Sequence, residues 1–194
     1  MIQGSPEWFS IRKGKLTASN AQAIATAGKG LETLVYDILA EKYSSAIPVS
    51  YTNEDMERGH ELEEAARQIY ELERGVKIEQ VGFVELDEYT GASPDGLIGT
   101  DGLVEIKCKK DSVYLRALIE NDIDSKYKWQ LQMQLLVTGR GWVDFVDYCP
   151  NFTKSMNITR IEKDPEMQEK LKIGIEEGKK LLKAKEAIIK KLFN

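Results

Sequence analysis

Two cysteines and one histidine are all the thiol and imidazole metal ligands that this chain of 194 residues contains. That scarcity excludes a disulfide framework, a cysteine-rich zinc or iron–sulfur centre, and a histidine cluster for a transition metal. Cys108 and Cys149 are expected as reduced core or edge residues, and His60 as part of a helix surface. There are only five prolines, and no repeat, linker or low-complexity stretch interrupts the chain. The length suits one compact domain over residues 1–194. No run of about 18 apolar residues occurs, nor a charged start followed by an apolar core, so neither membrane spanning nor secretion is indicated. A cytoplasmic location is the expectation. An excess of positive charge is lacking too: 27 basic against 32 acidic residues give a formal charge of −5. This excludes a protein that coats nucleic acid by global attraction, and any such binding must be local.

The hydrophobic pattern predicts helices and strands in a mixed order. Thr17 or Ser19 can cap a short helix to Ala27, broken by Gly28-Lys29-Gly30, and a second helix covers 31–43. Residues 53–73 carry helical periodicity, with Leu62, Ala65, Ala66, Ile69 and Leu72 as the apolar stripe, Glu61, Glu63, Glu64 and Arg67 opposite, and Gly75 as the stop. Strands are predicted at 77–86, 97–99 and 103–109, helices at 112–121 and 126–138, then strands at 142–148 and 155–161. Asp164-Pro165 opens a long final helix with Leu171, Ile175, Leu181, Leu182, Ile188, Ile189 and Leu192 on its apolar side. This order supports an α/β domain with a central sheet flanked by helices.

One arrangement of carboxylates carries chemistry. Ser93-Pro94-Asp95-Gly96 is followed, ten residues after Asp95, by Glu105-Ile106-Lys107. In an extended strand Glu105 and Lys107 share a face while Val104 and Ile106 turn to the core. If Asp95 ends a preceding strand or occupies the turn between the two strands, its carboxylate returns beside Glu105, and the pair can share a hard cation such as Mg2+, or Mn2+. A phosphodiester is anionic and unreactive; its hydrolysis needs charge neutralisation, an activated water and a stabilised leaving oxygen, all of which magnesium can supply. Lys107 adds a compact cation to orient water or offset developing charge. Alone, Pro-Asp-Gly is an ordinary turn and Glu-x-Lys an ordinary solvated strand face. Their joint occurrence at hairpin spacing is far more specific.

These residues resemble the PD-(D/E)xK nucleases, read as Pro94-Asp95 and Glu105-Ile106-Lys107. The chain is similar to the lambda exonuclease, YqaJ-like group of phage recombination nucleases through Trp8 to Gly14, Thr17-Ala18-Ser19, Gly59-His60-Glu61-Leu62-Glu63 and Tyr127 to Gln132. The resemblance covers roughly residues 5–150. It implies a single nuclease domain with a restriction-endonuclease-like mixed sheet between helices and a long C-terminal helix. It also implies a magnesium-dependent 5′ to 3′ exonuclease on linear double-stranded DNA that releases 5′ mononucleotides and leaves 3′ tails for recombination. A homotrimeric ring around DNA and a single-strand annealing partner follow from the same likeness.

Residue roles follow position by position. Asp95, Glu105 and the Ile106 backbone carbonyl would hold metal, Glu63 would be a third acid, and Lys107 and Gln130 would position the nucleophile. Arg12, Thr17 and Ser19 would hold the terminal 5′ phosphate, and Met56 stands where a relative presents a strand-separating wedge. Family members also carry an acid on the strand before Pro-Asp; Glu85, Asp87 and Glu88 are candidates, and register decides among them. Tyr127, Gln130, Leu131 and Gln134 share one side of their helix, with Gln132 projecting elsewhere as a structural or solvent-facing residue. Lys107, Lys109 and Lys110 form a basic edge, and Lys126 and Lys128 flank the glutamines. On the same fold an endonuclease or repair nuclease would also cut closed circles, whereas a noncatalytic end-binding protein would release no nucleotide. Intact Asp95, Glu105 and Lys107 favour catalysis.

Overall fold

The computed structural model describes residues 1–45 and 54–193, for 54–61 the backbone alone. Ser5 and Pro6 open the first helix, α1 (Pro6–Arg12), the Ser5 hydroxyl accepting from Trp8 N. Strand β1 (Leu16–Thr17) and a 3-10 turn (Ala18–Asn20) lead into α2 (Ala21–Thr26) and α3 (Lys29–Tyr43), which is followed by α4 (Glu54–Arg74). Four short strands come next: β2 (Ile78–Glu79), β3 (Val84–Asp87), β4 (Thr90–Ala92) and β5 (Gly96–Ile98). The long strand β6 (Gly102–Cys108) precedes α5 (Asp111–Glu120) and α6 (Ser125–Thr138), then β7 (Trp142–Tyr148), β8 (Met156–Glu162) and α7 (Pro165–Phe193). Asp124 caps α6, and Asp164 caps α7 by accepting from Glu166 N and Met167 N.

The strands form a five-stranded sheet in the order β2-β5-β6-β7-β8 and a small sheet in the order β1-β4-β3. Among the described residues only β6 and β7 pair in parallel within the larger sheet, from Gly102 opposite Trp142 to Cys108 opposite Tyr148. A parallel pair needs a crossover, and α5 and α6 provide it. Both faces of the sheet are therefore covered. Val104, Ile106 and Val146 pack with Ala66 and Tyr70 of α4 on one side; Leu103, Val143 and Phe145 pack with Leu131 and Leu135 of α6 on the other. Each fully buried side chain of this kind contributes roughly 1.5–3 kcal/mol. A third apolar cluster unites α2, α3 and α7 with Leu16 and Met133. There α7 meets α2 at backbone contact: a Cβ on Gly174 would lie 1.9 Å from the Ile24 carbonyl oxygen.

Three expectations are corrected. Residues 77–86 are not one strand, because β2 and β3 belong to different sheets. The N-terminal segment separates them: Gln3 Nε2 donates to the Val81 carbonyl, Trp8 Nε1 donates to that of Gly82, and a Cβ at Gly82 would meet the Met1 carbonyl at 2.6 Å. Strand β4 was not expected; its Thr-Gly-Ala sequence has little strand propensity and is held by pairing with β1 and β3. On α4 the apolar face is Leu62, Ala66 and Tyr70, not a stripe through Ile69 and Leu72, and Leu72 is 85 % exposed. Tyr70 Oη donates to the buried Asp144 carboxylate at 2.7 Å, and Arg160 grips both Asp144 oxygens at 2.8 and 3.0 Å. This network sets the rotation of α4. Cys108 and Cys149 are free of disulfide bonds.

Candidate active site

Antiparallel pairing of β5 with β6, Gly96 opposite Val104, sets Asp95 at the end of β5 beside the second half of β6. Asp95 therefore leads into a strand and is not in the connecting turn, which lies at the other end of β5. Gly96 is required by packing: a Cβ there would come within 2.1 Å of an Ile78 methyl. The Asp95 carboxylate accepts the Ile106 N–H at 2.7 Å, as a strand partner would. A strand residue points its N–H and C=O to the same edge, so the Ile106 carbonyl leaves on the side where Asp95 lies.

Glu105 is 2 % exposed, in the layer between β6 and α6. Lys107 Nζ at 2.6 Å and Gln130 Nε2 at 2.7 Å donate to its Oε1, and Gln134 Nε2 at 2.7 Å donates to Oε2. On the face expected to carry chemistry Glu105 is thus covered as fully as Val104 and Ile106 on the other, while Lys107 is half-buried. Burial, joined by the charges of Glu105 and Glu63, holds the Asp95 carboxyl well above the usual carboxylate range, while Lys107 and the Ile106 N–H pull in the opposite direction. Burial works against the charge on Lys107, but Glu105 and Asp95 outweigh it and raise its pKa. Lys107 is an ammonium ion here, suited to pairing with anions and not to taking up a proton.

Glu63 and Asp95 line one cleft of about 380 Å³ with Gln3, Glu64, Arg67 and Gln80. Arg67 Nη2 donates to Glu63 at 2.7 Å, and its other terminal nitrogen pairs with Glu64. The acids and the Ile106 carbonyl are oxygen donors with one ammonium beside Glu105, although Glu105 and Lys107 do not line the cleft itself. Among the described residues no group of three or more acidic, histidine or cysteine side chains forms a ready-made cage. A cation that keeps several of its own waters suits such a set better than one demanding full protein coordination.

Arg12, Thr17 and Ser19 line a separate cavity of about 200 Å³, with Trp8, Lys15 and Glu41 around them. The Arg12 guanidinium stacks 3.9 Å from the centre of the Trp8 ring and donates to Ser93 Oγ at 3.2 Å. Burial lowers the Arg12 pKa and Glu41 pushes it back up. The Thr17 and Ser19 hydroxyls lie 3.0 Å apart. Ser93 Oγ also accepts from Trp8 Nε1 at 2.9 Å, and Gln3 Nε2 donates to the Pro94 carbonyl. One dipeptide, Ser93-Pro94, therefore joins this pocket to Asp95.

Other candidates fall elsewhere. Glu85 pairs with Lys15 at 2.7 Å, Asp87 pairs with Lys179 at 2.5 Å, and the Glu88 carbonyl accepts from Lys15. The strand that carries Glu85 and Asp87 sits in the small sheet, where the two acids pair with lysines and not with the Asp95–Glu105 group. Gln132 is buried, not solvent-facing: its amide donates to the Glu162 carbonyl, and its oxygen accepts from Asp164 N and Gln168. Lys109 pairs with Asp147 at 2.6 Å. The Met56 wedge and the His60 side chain lie outside the described residues. Three residues near the site were not singled out from the sequence: Gln134, Ser93 and Arg67. For Gln134 a signal existed, its four-residue spacing from Gln130 on the same helix.

Comparison with known proteins places this chain in a family. A family model described as a YqaJ-like viral recombinase domain matches residues 7–141. The structure of LHK-Exo in complex with dAMP matches with a TM-score of 0.88 and 30 % identity, over 96 % of this chain and 97 % of that one. The structure of LHK-Exo, an alkaline exonuclease from Laribacter hongkongensis, matches with a TM-score of 0.82 and 30 % identity, over 97 % of this chain and 100 % of that one. At the level of fold alone, a phage-related exonuclease from Haemophilus somnus 129PT matches with a TM-score of 0.66 and 14 % identity over 90 % of this chain and 96 % of its own. A comparison with curated proteins gave no match. The mixed sheet between helices with a long C-terminal helix is the fold of these exonucleases, and the chain belongs to the YqaJ-like viral recombinase domain family of the lambda exonuclease group.

Proposed function

We propose that this protein is a magnesium-dependent nuclease that degrades the 5′ strand of linear duplex DNA, releasing 5′ mononucleotides and leaving 3′ single-stranded tails. The observation that carries the reading is the meeting of Asp95 and Glu105 across β5 and β6 with the Lys107 ammonium 2.6 Å from Glu105. Both LHK-Exo structures belong to an exonuclease, one of them holding the mononucleotide dAMP, and this supports the same substrate class here. Burial first, and then the charges of Glu105 and Glu63, raise the Asp95 pKa, and a divalent cation held by Asp95, Glu105, the Ile106 carbonyl and Glu63 would offset that repulsion. Magnesium bound there supplies an activated water and neutralises phosphate charge. Lys107 stabilises charge on the scissile phosphate and its leaving oxygen. Gln130, whose nitrogen holds Glu105, offers its carbonyl oxygen to orient the attacking water. Arg12 supplies a planar fork of donors to a terminal phosphate, with the Thr17 and Ser19 hydroxyls beside it. Three subunits encircling DNA and an annealing recombinase as partner complete the reading.

The test uses end-labelled linear duplexes with 5′ phosphate or 5′ hydroxyl, in magnesium or chelator. Metal-dependent release of mononucleotides from phosphorylated 5′ ends is expected. Equal attack on supercoiled circles would turn the assignment to an endonuclease, and end binding without release would turn it to a noncatalytic module.

A further inference from the structure

Gln130 and Gln134 stand one turn apart on α6, and both side-chain amides reach the same carboxylate. Gln130 Nε2 lies 2.7 Å from Glu105 Oε1, which Lys107 Nζ also reaches at 2.6 Å; Gln134 Nε2 lies 2.7 Å from Oε2. The last torsion of a glutamate is broad and roughly two-fold, so one donor on one oxygen does not fix the carboxylate plane. A donor on each oxygen does. Without Gln130, Oε1 keeps Lys107; without Gln134, Oε2 keeps none of these three donors.

The burial of Gln134 points the same way. It is 0 % exposed between Met133 and Leu135, which are also 0 % exposed, and is too deep to touch a substrate. Its own Oε1 is buried without a hydrogen-bond partner among the described residues. A half-satisfied amide in an apolar layer destabilises the fold relative to an apolar side chain of similar size. The position is poor for the core and well suited to Glu105.

We propose that Gln134 is a positioning residue that locks the Glu105 carboxylate in the orientation from which it holds a divalent cation. This rests on the nuclease reading above. Gln134→Met keeps the side-chain volume and removes the donor. Three quantities are compared with wild type: the thermal midpoint, Mn2+ affinity by calorimetry without DNA, and kcat and KM for nucleotide release in magnesium. The expected variant melts at or above the wild-type midpoint, binds Mn2+ about 10-fold or more weakly, loses kcat by a similar factor and keeps KM for DNA within about two-fold. Gln134→Asn, which retains the amide one methylene short, changes in the same direction. In a Glu105→Gln background, adding Gln134→Met changes Mn2+ affinity no further.

Wild-type Mn2+ affinity in Gln134→Met would overturn the inference, as would a loss of activity that follows a fall in midpoint alone. Failure of both single variants to fold would assign Gln134 to the core and overturn it as well. Wild type that releases no nucleotide in magnesium would defeat the nuclease reading, and the Mn2+ titration would still decide the role of Gln134.

Discussion

The Glu105 cluster and the Arg12 pocket are joined through Ser93-Pro94 but are built on opposite principles. Around Glu105 the functional groups are buried between a sheet and a helix, and three donors converge on one carboxylate. Around Arg12 they come from α1, β1 and the 3-10 turn that follows; Ser19 is exposed, and the Thr17 and Ser19 hydroxyls bond each other. The first arrangement fixes charge before any ligand arrives, which is what stabilising a transition state requires. The second keeps hydroxyls that can exchange their mutual bond for one to a phosphate. On the proposed function one site serves chemistry and the other capture, so their failures should differ in kind.

Lys107→Ala breaks the comparison on the chemical side and carries the largest expected effect. Loss of the ammonium lowers kcat by about 10²–10³-fold on phosphorylated and hydroxyl ends alike, with DNA binding retained. Single-turnover assays on both ends check this; unequal losses would show that Lys107 serves end capture. Arg12→Ala breaks the other side. Removing its fork of donors costs roughly 10–100-fold in kcat/KM on 5′-phosphate ends and much less on 5′-hydroxyl ends. Equal losses on the two ends would reduce Arg12 to a stacking partner of Trp8.

The same contrast explains what was legible in the sequence. Asp95, Glu105 and Lys107 could be read because hairpin spacing and strand alternation are local rules. Gln130 was found only by resemblance. Gln134 was visible as a neighbour of Gln130, but its importance depends on Glu105, some thirty residues away in the chain and brought in by the β6-α6 packing. The strand at 77–86 failed because its interruption comes from Gln3 and Trp8, nearly eighty residues earlier. Strand β4 failed for the same reason, being an element that exists only through pairing. On α4 the period was right and the stripe half right: Leu62 and Ala66 face the core, while Ile69 and Leu72 give way to Tyr70, whose buried partner Asp144 apolar counting does not see.

Gly174→Ala sharpens the comparison through stability. A Cβ at 1.9 Å from the Ile24 carbonyl oxygen must push α7 away from α2, whose preceding turn carries Ser19. Destabilisation of roughly 1–3 kcal/mol is expected from such overpacking. Denaturant midpoints measure it. The preference for phosphorylated ends should weaken more than kcat on hydroxyl ends, because the displaced contact adjoins the turn that carries Ser19 and reaches α6 through Met133 and Val137, not through the residues that hold Glu105.

Asp87→Asn is the mildest probe and depends on pH. Burial raises the Asp87 pKa, but Lys179 and the Tyr89 N–H outweigh it, so the folded carboxyl sits below its ordinary value of 3.8. A depressed pKa in the folded state means that the ion pair stabilises the protein above that value and loses its contribution as pH falls through the lower folded pKa. The pair is partly exposed, so the expected loss near neutral pH is only about 0.5–1 kcal/mol. Wild type and variant should differ by that amount at pH 7 and converge below the ordinary carboxylate range. The Asp87–Lys179 bridge ties the small sheet to α7 without touching either site. Nucleotide release and the preference for phosphorylated ends should both be unchanged, and a changed end preference would mean that the small sheet sets the shape of the Arg12 pocket from a distance.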